Sequence, residues 1–482
     1  MFNRNENNLI IKSDLKNQSI YLFMMFISVI TLVATLLDFS KPYSYFWLFL
    51  LPLSFLFFMF ICKSCWSEIP QNFGLTILII LEFIRLVITP IFLVLGDYHE
   101  IITLNIEDNT AMASLLMFYE TMCIAFALRI KIPIKYESFK NIDNNKCNHK
   151  MNILMGTIIL FTAILCVFAP EILKNYRSIW GLFTDKYFTT VEQSFIVNQY
   201  STSIAKKFFL VTVNYVLKVI RILLPLYLMI WSYLKFNNKA KMFCIFLVLS
   251  PLIFVDGAIA RSIYFVLFLM LIYQYLYKID VKKLYKPLTI GCICAIGFFS
   301  ARLVFVSDSV GLLDYISDKL VDYFAGLNIV SGSFNLPTSI SLRFHYFIGD
   351  LLRTIPFANT LFGLSSSDTI QIFFNTYNGT TGGQIPTTIG MGAYYFGFIF
   401  APFYSVLFAR LCKNYGRKYQ VETNPYYKLI YLYISFISAL GIGMYNMEIA
   451  LGTLVQVIFP IYLVVRIAYP KIKGRKSIHQ RR

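Results

Sequence analysis

The segment SIYLFMMFISVITLVATLL, from Ser19 to Leu37, contains no charged side chain. A helix that crosses the hydrocarbon core of a bilayer needs about 20 predominantly apolar residues. Because lipid offers no hydrogen-bond partners, a single spanning segment must satisfy its backbone internally, as a helix does. This segment therefore predicts a membrane-spanning helix near the start of the chain.

The whole chain has the composition of a membrane protein. Of its 482 residues, 57% are hydrophobic and 14% are charged, whereas soluble domains carry about 25% charged residues. We predict about twelve spanning helices of the length that a bilayer requires. They lie at 19–37, 44–62, 73–96, 110–130, 151–169, 208–231, 242–256, 261–277, 288–306, 385–409, 427–444 and 448–466. The expected fold is all-α, a polytopic integral membrane protein in which residues 1–482 form a single membrane domain.

The distribution of basic residues predicts the orientation of these spans. An even number of spans places both termini on one side, and most of the 43 lysines and arginines fall in the segments on that side. Since cytoplasmic segments carry the excess of Lys and Arg, we predict that both termini are cytoplasmic. The net charge of +18 is spread in short runs between apolar segments. Nucleic acid is therefore not an expected partner, because its binding requires a basic patch or stripe.

The segment 307–384 is a predicted large extracytoplasmic loop before the tenth span. Loops of this length are usually functional or disordered, and this one is too apolar for disorder. It contains two patterns typical of amphipathic helices, at 312–327 and 341–357. In the first, apolar residues recur at three- and four-residue spacing, namely Leu313, Ile316, Leu320, Tyr323, Phe324 and Leu327.

The helix predicted at 341–357 carries the more informative pattern. At 100° per residue, one narrow stripe holds Arg343, Tyr346, Asp350 and Arg353. His345 lies at the border between this stripe and the apolar face. Two arginines, a carboxylate and an imidazole could bind a phosphate and move a proton. The alternative is a solvated face with an Asp350–Arg353 pair, and helix geometry alone does not decide between the two.

Ionisable side chains inside the predicted spans are candidates for function, because burying a charge in lipid is costly. Glu82 and Arg85 are three residues apart and are expected to form a structural pair, whereas Glu120 has no partner in its own helix. Lys218 and Arg221 share a face of the sixth span without an acid nearby in sequence. Their counter-charge is either one of these glutamates or an anionic ligand.

Four arginines belong to the outer side of the membrane, where topology disfavours positive charge. They are Arg261, Arg302, Arg343 and Arg353. Snorkelling to the interface would explain Arg261 or Arg302 alone. Together the four indicate a bound anion, and the planar guanidinium group suits a phosphate.

Motifs of several other protein classes are absent. The chain has no HExxH, no Walker A sequence and no GxSxG, which disfavours ATP-driven transport and serine hydrolysis. None of its four histidines falls within a predicted span, whereas membrane acyltransferases usually need one there. Cys62 and Cys65 have the CxxC spacing, but no second pair completes a zinc site.

The sequence IPTTIGMGAYYFGFIF, residues 385–400, follows the long outer loop late in the chain. Together with the turn GAIARS, residues 257–262, it resembles the Wzy-type polymerases, the O-antigen and capsule repeat-unit polymerases of bacteria. Relatives often carry an acidic residue after the glycine where this chain has Gly390-Met391.

The resemblance implies a GT-C-like membrane glycosyltransferase in the bacterial cytoplasmic membrane. Its substrates would be oligosaccharide repeat units linked through pyrophosphate to undecaprenol, presented at the outer face of the bilayer. No cofactor and no metal would be needed, so protein cations would stabilise the leaving pyrophosphate. A chain-length regulator and a flippase of the same pathway would be its protein partners.

Site residues follow from this scheme. The pyrophosphate would be held by the outer arginines and by two deeper cations, namely Arg261, Arg302, Arg343, Arg353, Lys218 and Arg221. The base that accepts the proton of the attacking hydroxyl would be His345 in the first place, Asp350 in the second and Asp322 in the third.

Other functions stay open at this point. A ligase that moves finished glycan from the same lipid carrier to another acceptor would use nearly the same chemistry. A flippase for lipid-linked oligosaccharides also has about a dozen spans, but it should show related halves, short loops and charges along a central cavity. A purely structural membrane protein would not explain Lys218 and Arg221.

Overall fold

The computed structural model describes residues 3–39, 41–98, 109–130, 139–170, 203–239, 259–279, 312–324, 326–364, 368–379 and 384–472. Within them the chain is helical, apart from one isolated antiparallel bridge between Phe139 and Lys471. The α-helices are α1 (Asn3–Leu37), α2 (Leu50–Ile61), α3 (Phe73–Phe83), α4 (Thr89–Leu95), α5 (Thr110–Arg129), α6 (Asn145–Phe168), α7 (Ile204–Phe236), α8 (Ile259–Tyr277), α9 (Leu312–Tyr323), α10 (Leu327–Gly332), α11 (Ile340–Thr354), α12 (Ala358–Leu361), α13 (Ile370–Tyr377), α14 (Thr388–Phe400), α15 (Phe403–Val421), α16 (Pro425–Gly443), α17 (Met447–Thr453) and α18 (Phe459–Ala468). Two 3₁₀ segments, Tyr43–Tyr45 and Cys62–Gln71, flank α2.

Eight helical segments among the described residues are long and apolar enough to cross a membrane. They correspond to the predicted spans at 19–37, 44–62, 73–96, 110–130, 151–169, 208–231, 427–444 and 448–466. The polytopic, all-helical membrane architecture is thereby confirmed. The predicted spans at 242–256 and 288–306 lie outside the described residues, and the span at 261–277 falls on α8.

The predicted span at 385–409 is not one straight helix. Helices α14 and α15 meet at 105°, and Gly397 adopts φ 75 and ψ 174 at the end of α14. Only glycine takes up such a conformation without strain. The segment is therefore either a broken span or a re-entrant hairpin. Sequence pattern missed the break because hydropathy does not register the backbone freedom of one glycine.

Two spans each contain one π-helical turn, at Ile84–Ile88 between α3 and α4 and at Leu454–Ile458 between α17 and α18. In each case a proline follows two residues after the turn, Pro90 in the first and Pro460 in the second. A proline inside a helix lacks the N–H group and clashes with the preceding turn. A wider π turn relieves that clash, and such turns are frequent at functional sites.

The core of the bundle is centred on α16, of which nearly every residue is buried. It packs against α15, α3 and α8. Gly74 allows α3 to lie close to α16, because a Cβ at this position would collide with the Ser435 side chain. This buried framework positions the ends of the spans, where the candidate sites lie.

The described helices of the predicted outer loop pack onto the bundle. The pattern at 312–327 forms α9 and the start of α10, and α9 lies against α4. Its buried side contains Ser317 and Val321, while Leu313 is 45% exposed. The predicted apolar face is therefore only partly buried, because Gly96 admits the small Ser317 side chain instead.

Candidate functional site

Helix α11 turns its polar stripe toward the protein. The helix begins after Ser339, whose hydroxyl accepts a hydrogen bond from the Leu342 N–H. Asp350 is fully buried, while Phe344 on the predicted apolar face is 65% exposed. Asp350 is therefore not solvated, whereas Arg343, Tyr346 and Arg353 on the same stripe are half-buried. A loop helix that buries a carboxylate and exposes a phenylalanine is consistent with lipid along its outer side.

Asp350 is the centre of the site. Its carboxylate accepts a hydrogen bond of 2.5 Å from the Tyr395 hydroxyl on α14 and one of 3.2 Å from the Ile370 N–H at the start of α13. Burial raises the pKa of Asp350 to about 6, while these two bonds and the Arg353 charge act in the opposite direction. A carboxylate whose pKa lies near neutral pH is suited to accept and release a proton.

The turn that supplies the Ile370 N–H packs closely on α11. A Cβ at Gly349 would collide with the Asp368 carbonyl oxygen, so glycine is needed for this approach. The approach fixes the backbone donor against Asp350. Local geometry thus holds the carboxylate in one orientation.

Glu448 provides a second carboxylate, which sequence reasoning missed. It lies in the first turn of α17, after the N-cap residue Asn446, and it interacts electrostatically with Asp350 and Arg353. The signal available in the sequence was an acidic residue at the predicted outer end of the last span. Nothing in the sequence indicates that this residue lies beside α11, about a hundred positions earlier.

Arg353 connects α11 to the second π turn. The Gln456 side-chain amide, within that turn, donates a hydrogen bond of 2.8 Å to the Arg353 carbonyl oxygen. Two carboxylates, Asp350 and Glu448, share the electrostatic field of this one guanidinium group. The cluster accordingly carries an excess of negative charge when both acids are ionised.

Aromatic rings and Arg343 extend the polar stripe along α11. The Arg343 guanidinium carbon lies 5.9 Å from the centroid of the Tyr394 ring, and its Nε is buried without a hydrogen-bond partner among the described residues. Tyr346 stacks on Phe373 with centroids 4.4 Å apart. Such surfaces bind the apolar faces of sugar rings, and a buried guanidinium N–H is a donor available to an anion.

His345 lies at the exposed edge of this arrangement, with its ring centroid 5.1 Å from that of Tyr346. Its imidazole is 52% exposed and its Nε2 lies 3.2 Å from Asp368 Oδ1. The side chain therefore points toward the surface beside the turn that precedes α13. Of the two predicted bases whose side chains the structure describes, Asp350 is the one surrounded by the other polar groups of α11.

Of the other residues predicted for the site, the structure describes the side chains of Lys218 and Arg221. Lys218 and Arg221 lie half-buried on α7, and the Lys218 ammonium group is 5.2 Å from the Tyr215 ring centroid. Tyr215 in turn contacts the Phe357 ring beyond the end of α11, so α7 approaches the same end of the bundle. Arg302 lies outside the described residues, and the structure does not describe the side chains of Arg261 and Asp322.

Glu120 pairs with Arg85 inside the bundle. It accepts a hydrogen bond of 2.8 Å from Arg85 and another from the Ser405 hydroxyl. Glu82 lies 3.7 Å from the same arginine, as the spacing predicts. These four side chains are fully buried inside the bundle.

Comparisons of the chain with protein-family models, with curated proteins and with solved structures found no match.

Proposed function

We propose that this protein polymerises undecaprenyl-pyrophosphate-linked oligosaccharide repeat units into O-antigen or capsular polysaccharide at the outer face of a bacterial cytoplasmic membrane. The observation that supports it best is the inward-facing stripe of α11, where arginines and a carboxylate adjoin Glu448 and a set of aromatic rings. The proposal keeps the predicted twelve spans, the GT-C-like architecture and cytoplasmic termini. Its partners are the lipid-linked substrate, a chain-length regulator and a flippase.

In the proposed reaction, a hydroxyl of the incoming repeat unit attacks the anomeric carbon of the growing chain. A glycosidic C–O bond forms while the bond from that carbon to the pyrophosphate oxygen breaks. Undecaprenyl pyrophosphate leaves with the electron pair, and the hydroxyl proton passes to Asp350. Its pKa of about 6 leaves it largely ionised at pH 7, as a base must be.

Arg343 and Arg353 bind the pyrophosphate in this scheme. Negative charge grows on the leaving group as its bond breaks, and fixed cations that meet growing charge lower the barrier. Arg261, Arg302, Lys218 and Arg221 stay candidates for further contacts with the same group. Tyr346 and Tyr394 offer ring faces to the sugars.

Deletion of the gene in its source cell tests the reaction class. Loss of a polymerase leaves surface glycans that carry single repeat units, and the wild-type chain restores the long polymer. A ligase deletion would instead leave long polymer on the lipid carrier, and a flippase deletion would remove outer-face glycan altogether. Either of these two results contradicts the proposal.

The double substitution Arg343→Ala and Arg353→Ala tests the assignment of the site. A variant that inserts in the membrane like the wild type should give only single repeat units. The matched control is Arg410→Ala together with Arg466→Ala, which removes the same charge from two arginines outside α11. Unchanged polymer length and yield in the first variant would remove these arginines from the site.

A further inference from the structure

A second site lies at the opposite end of the bundle from α11. A cavity of about 210 Å³ is lined by residues from the start of α6, the end of α7, the start of α16 and the residue after α18. Glu448 marks where the last span begins, and Tyr469 in this cavity marks where it has just ended. The cavity therefore sits where four spans leave the membrane, on the side that the basic residues predict to be cytoplasmic.

The polar groups of this cavity are paired in a way that leaves donors available. The Tyr469 hydroxyl donates to Asn148 Oδ1 at 2.6 Å, and Asn148 Nδ2 donates to the Ile142 carbonyl oxygen. The Tyr227 hydroxyl donates to Asn152 Oδ1 at 3.0 Å. The oxygen of Asn152 is thereby occupied, and its exposed amide NH₂ group has no hydrogen-bond acceptor among the described residues.

A cation stands next to that amide. The Lys235 ammonium group lies 4.8 Å from the Trp231 ring centroid, and both residues line the cavity. The ion pairs between described residues do not include Lys235. No acidic side chain lines the cavity. An ammonium group, an amide donor and the absence of acids in the lining favour an anionic ligand.

We propose that this cavity binds the phosphate headgroup of an anionic phospholipid from the cytoplasmic leaflet, with the phosphate held by Lys235 and Asn152. Anionic lipids and their negative surface potential are concentrated in that leaflet. Tyr and Trp rings are typical of the membrane interface, where they sit at headgroup depth. The volume is below the roughly 300–1,000 Å³ of pockets that enclose drug-sized ligands, so it fits a headgroup better than an oligosaccharide repeat unit.

The apolar surfaces next to the cavity favour a lipid over a soluble anion as its ligand. Helix α6 is largely unburied along its apolar length, and Leu234 beside the cavity is 40% exposed. These apolar surfaces belong to membrane spans, so acyl chains would cover them while the headgroup occupies the cavity. The inference does not depend on the proposed polymerase reaction.

Native mass spectrometry of the purified full-length protein tests this site with dioleoyl phosphatidylglycerol and dioleoyl phosphatidylcholine. Phosphatidylglycerol, which is anionic, should bind at least about fivefold more tightly than zwitterionic phosphatidylcholine, because one Lys near an anionic surface contributes about 1 kcal/mol. Lys235→Ala and Asn152→Ala should each remove most of this preference, and Lys235→Arg should restore it. The matched control is Lys239→Ala, which removes an exposed cation beyond the end of α7 and outside the cavity.

Three results would overturn the proposal. The first is equal binding of both lipids by the wild-type protein. The second is the same loss of preference in Lys239→Ala as in Lys235→Ala, which would indicate general surface charge. The third is displacement of phosphatidylglycerol by millimolar inorganic phosphate, which would assign the cavity to a soluble anion.

Discussion

In the part of the chain that the structure describes, two clusters each bring one arginine together with two carboxylates. Arg85 lies within the first π turn, and the Arg353 carbonyl accepts a hydrogen bond from the second. In the first, Arg85 is fully buried with Glu82 and Glu120 among the spans. In the second, Arg353 is only half-buried and adjoins Asp350 and Glu448 at the end of the bundle. The three charges of the first cluster are all enclosed, whereas in the second Asp350 is buried and Arg353 and Glu448 are partly exposed. Accessibility, rather than charge type, separates a structural network from a candidate reaction site.

Substitution of Arg85 in the first cluster should lower the stability of the protein most strongly. Arg85→Ala leaves Glu82 and Glu120 buried without their cation, and breaking a buried ion pair in this way costs about 3–5 kcal/mol. The melting temperature in detergent should fall clearly, with loss of monodisperse protein. Arg466→Ala, at an exposed arginine after the second π turn, is the control and should melt like the wild type. Equal melting of the two variants would mean that the buried network contributes little.

Substitution of Asp350 in the second cluster should lower activity rather than stability. Asp350→Asn removes the proposed base and should lower the rate of chain extension about 100-fold or more. Its melting temperature should stay close to that of the wild type, because the amide oxygen still accepts the bond from the Ile370 N–H and the amide NH₂ group can donate to the Tyr395 hydroxyl oxygen. His345→Gln, at an exposed residue, should retain most of the activity. If His345→Gln were the inactive variant, the imidazole and not Asp350 would be the base.

Gly349→Ala probes the contact that orients Asp350. The new methyl group collides with the Asp368 carbonyl, and such overpacking costs about 1–3 kcal/mol. Chain extension should fall together with stability as the Ile370 donor moves away. Gly156→Ala on α6 is the matched control, because open space surrounds that position and alanine favours a helix. Wild-type melting of Gly349→Ala would show that the turn adjusts without strain.

Both the rate of chain extension and the stability contributed by Asp350 should depend on pH. The pKa of Asp350, raised to about 6 by burial, predicts that the rate rises about tenfold per pH unit below 6 and levels off above it. Folding responds with the opposite sign, because the native state holds this proton more tightly than the unfolded chain does. The contribution of Asp350 to stability therefore decreases as pH rises from about 4 to about 6.

Tyr395→Phe sharpens this test. Loss of the hydroxyl that bonds to the Asp350 carboxylate raises the pKa of Asp350, so the midpoint of the rate profile should move to higher pH. Arg466→Ala should leave the midpoint in place. A Tyr395→Phe profile identical to that of the wild type would disconnect Asp350 from the pH dependence.

Periodicity in the sequence predicted much of this fold but little of its contacts. The helix expected at 341–357 is observed at Ile340–Thr354, and its polar stripe contains the buried Asp350. That the stripe faces inward depends on α13 and α14, which no local pattern encodes. Glu448 and Tyr395 join the site through tertiary packing alone.

The sequence also did not predict where the helical backbone becomes irregular. The break at Gly397 and the π turns before Pro90 and Pro460 occur within segments that read as ordinary spans. Hydropathy measures side chains averaged over a window, whereas each departure depends on one residue. The two prolines could have indicated irregular turns, but not that one of those turns would adjoin Arg353.

The most direct test of the account uses the purified full-length protein and labelled undecaprenyl-pyrophosphate repeat units isolated from the source cell. The wild-type protein should convert single units into chains of two or more and release undecaprenyl pyrophosphate in step with each new linkage, while Asp350→Asn should leave single units. Single units that persist with folded wild-type protein, or chains that form equally well with Asp350→Asn, would contradict it.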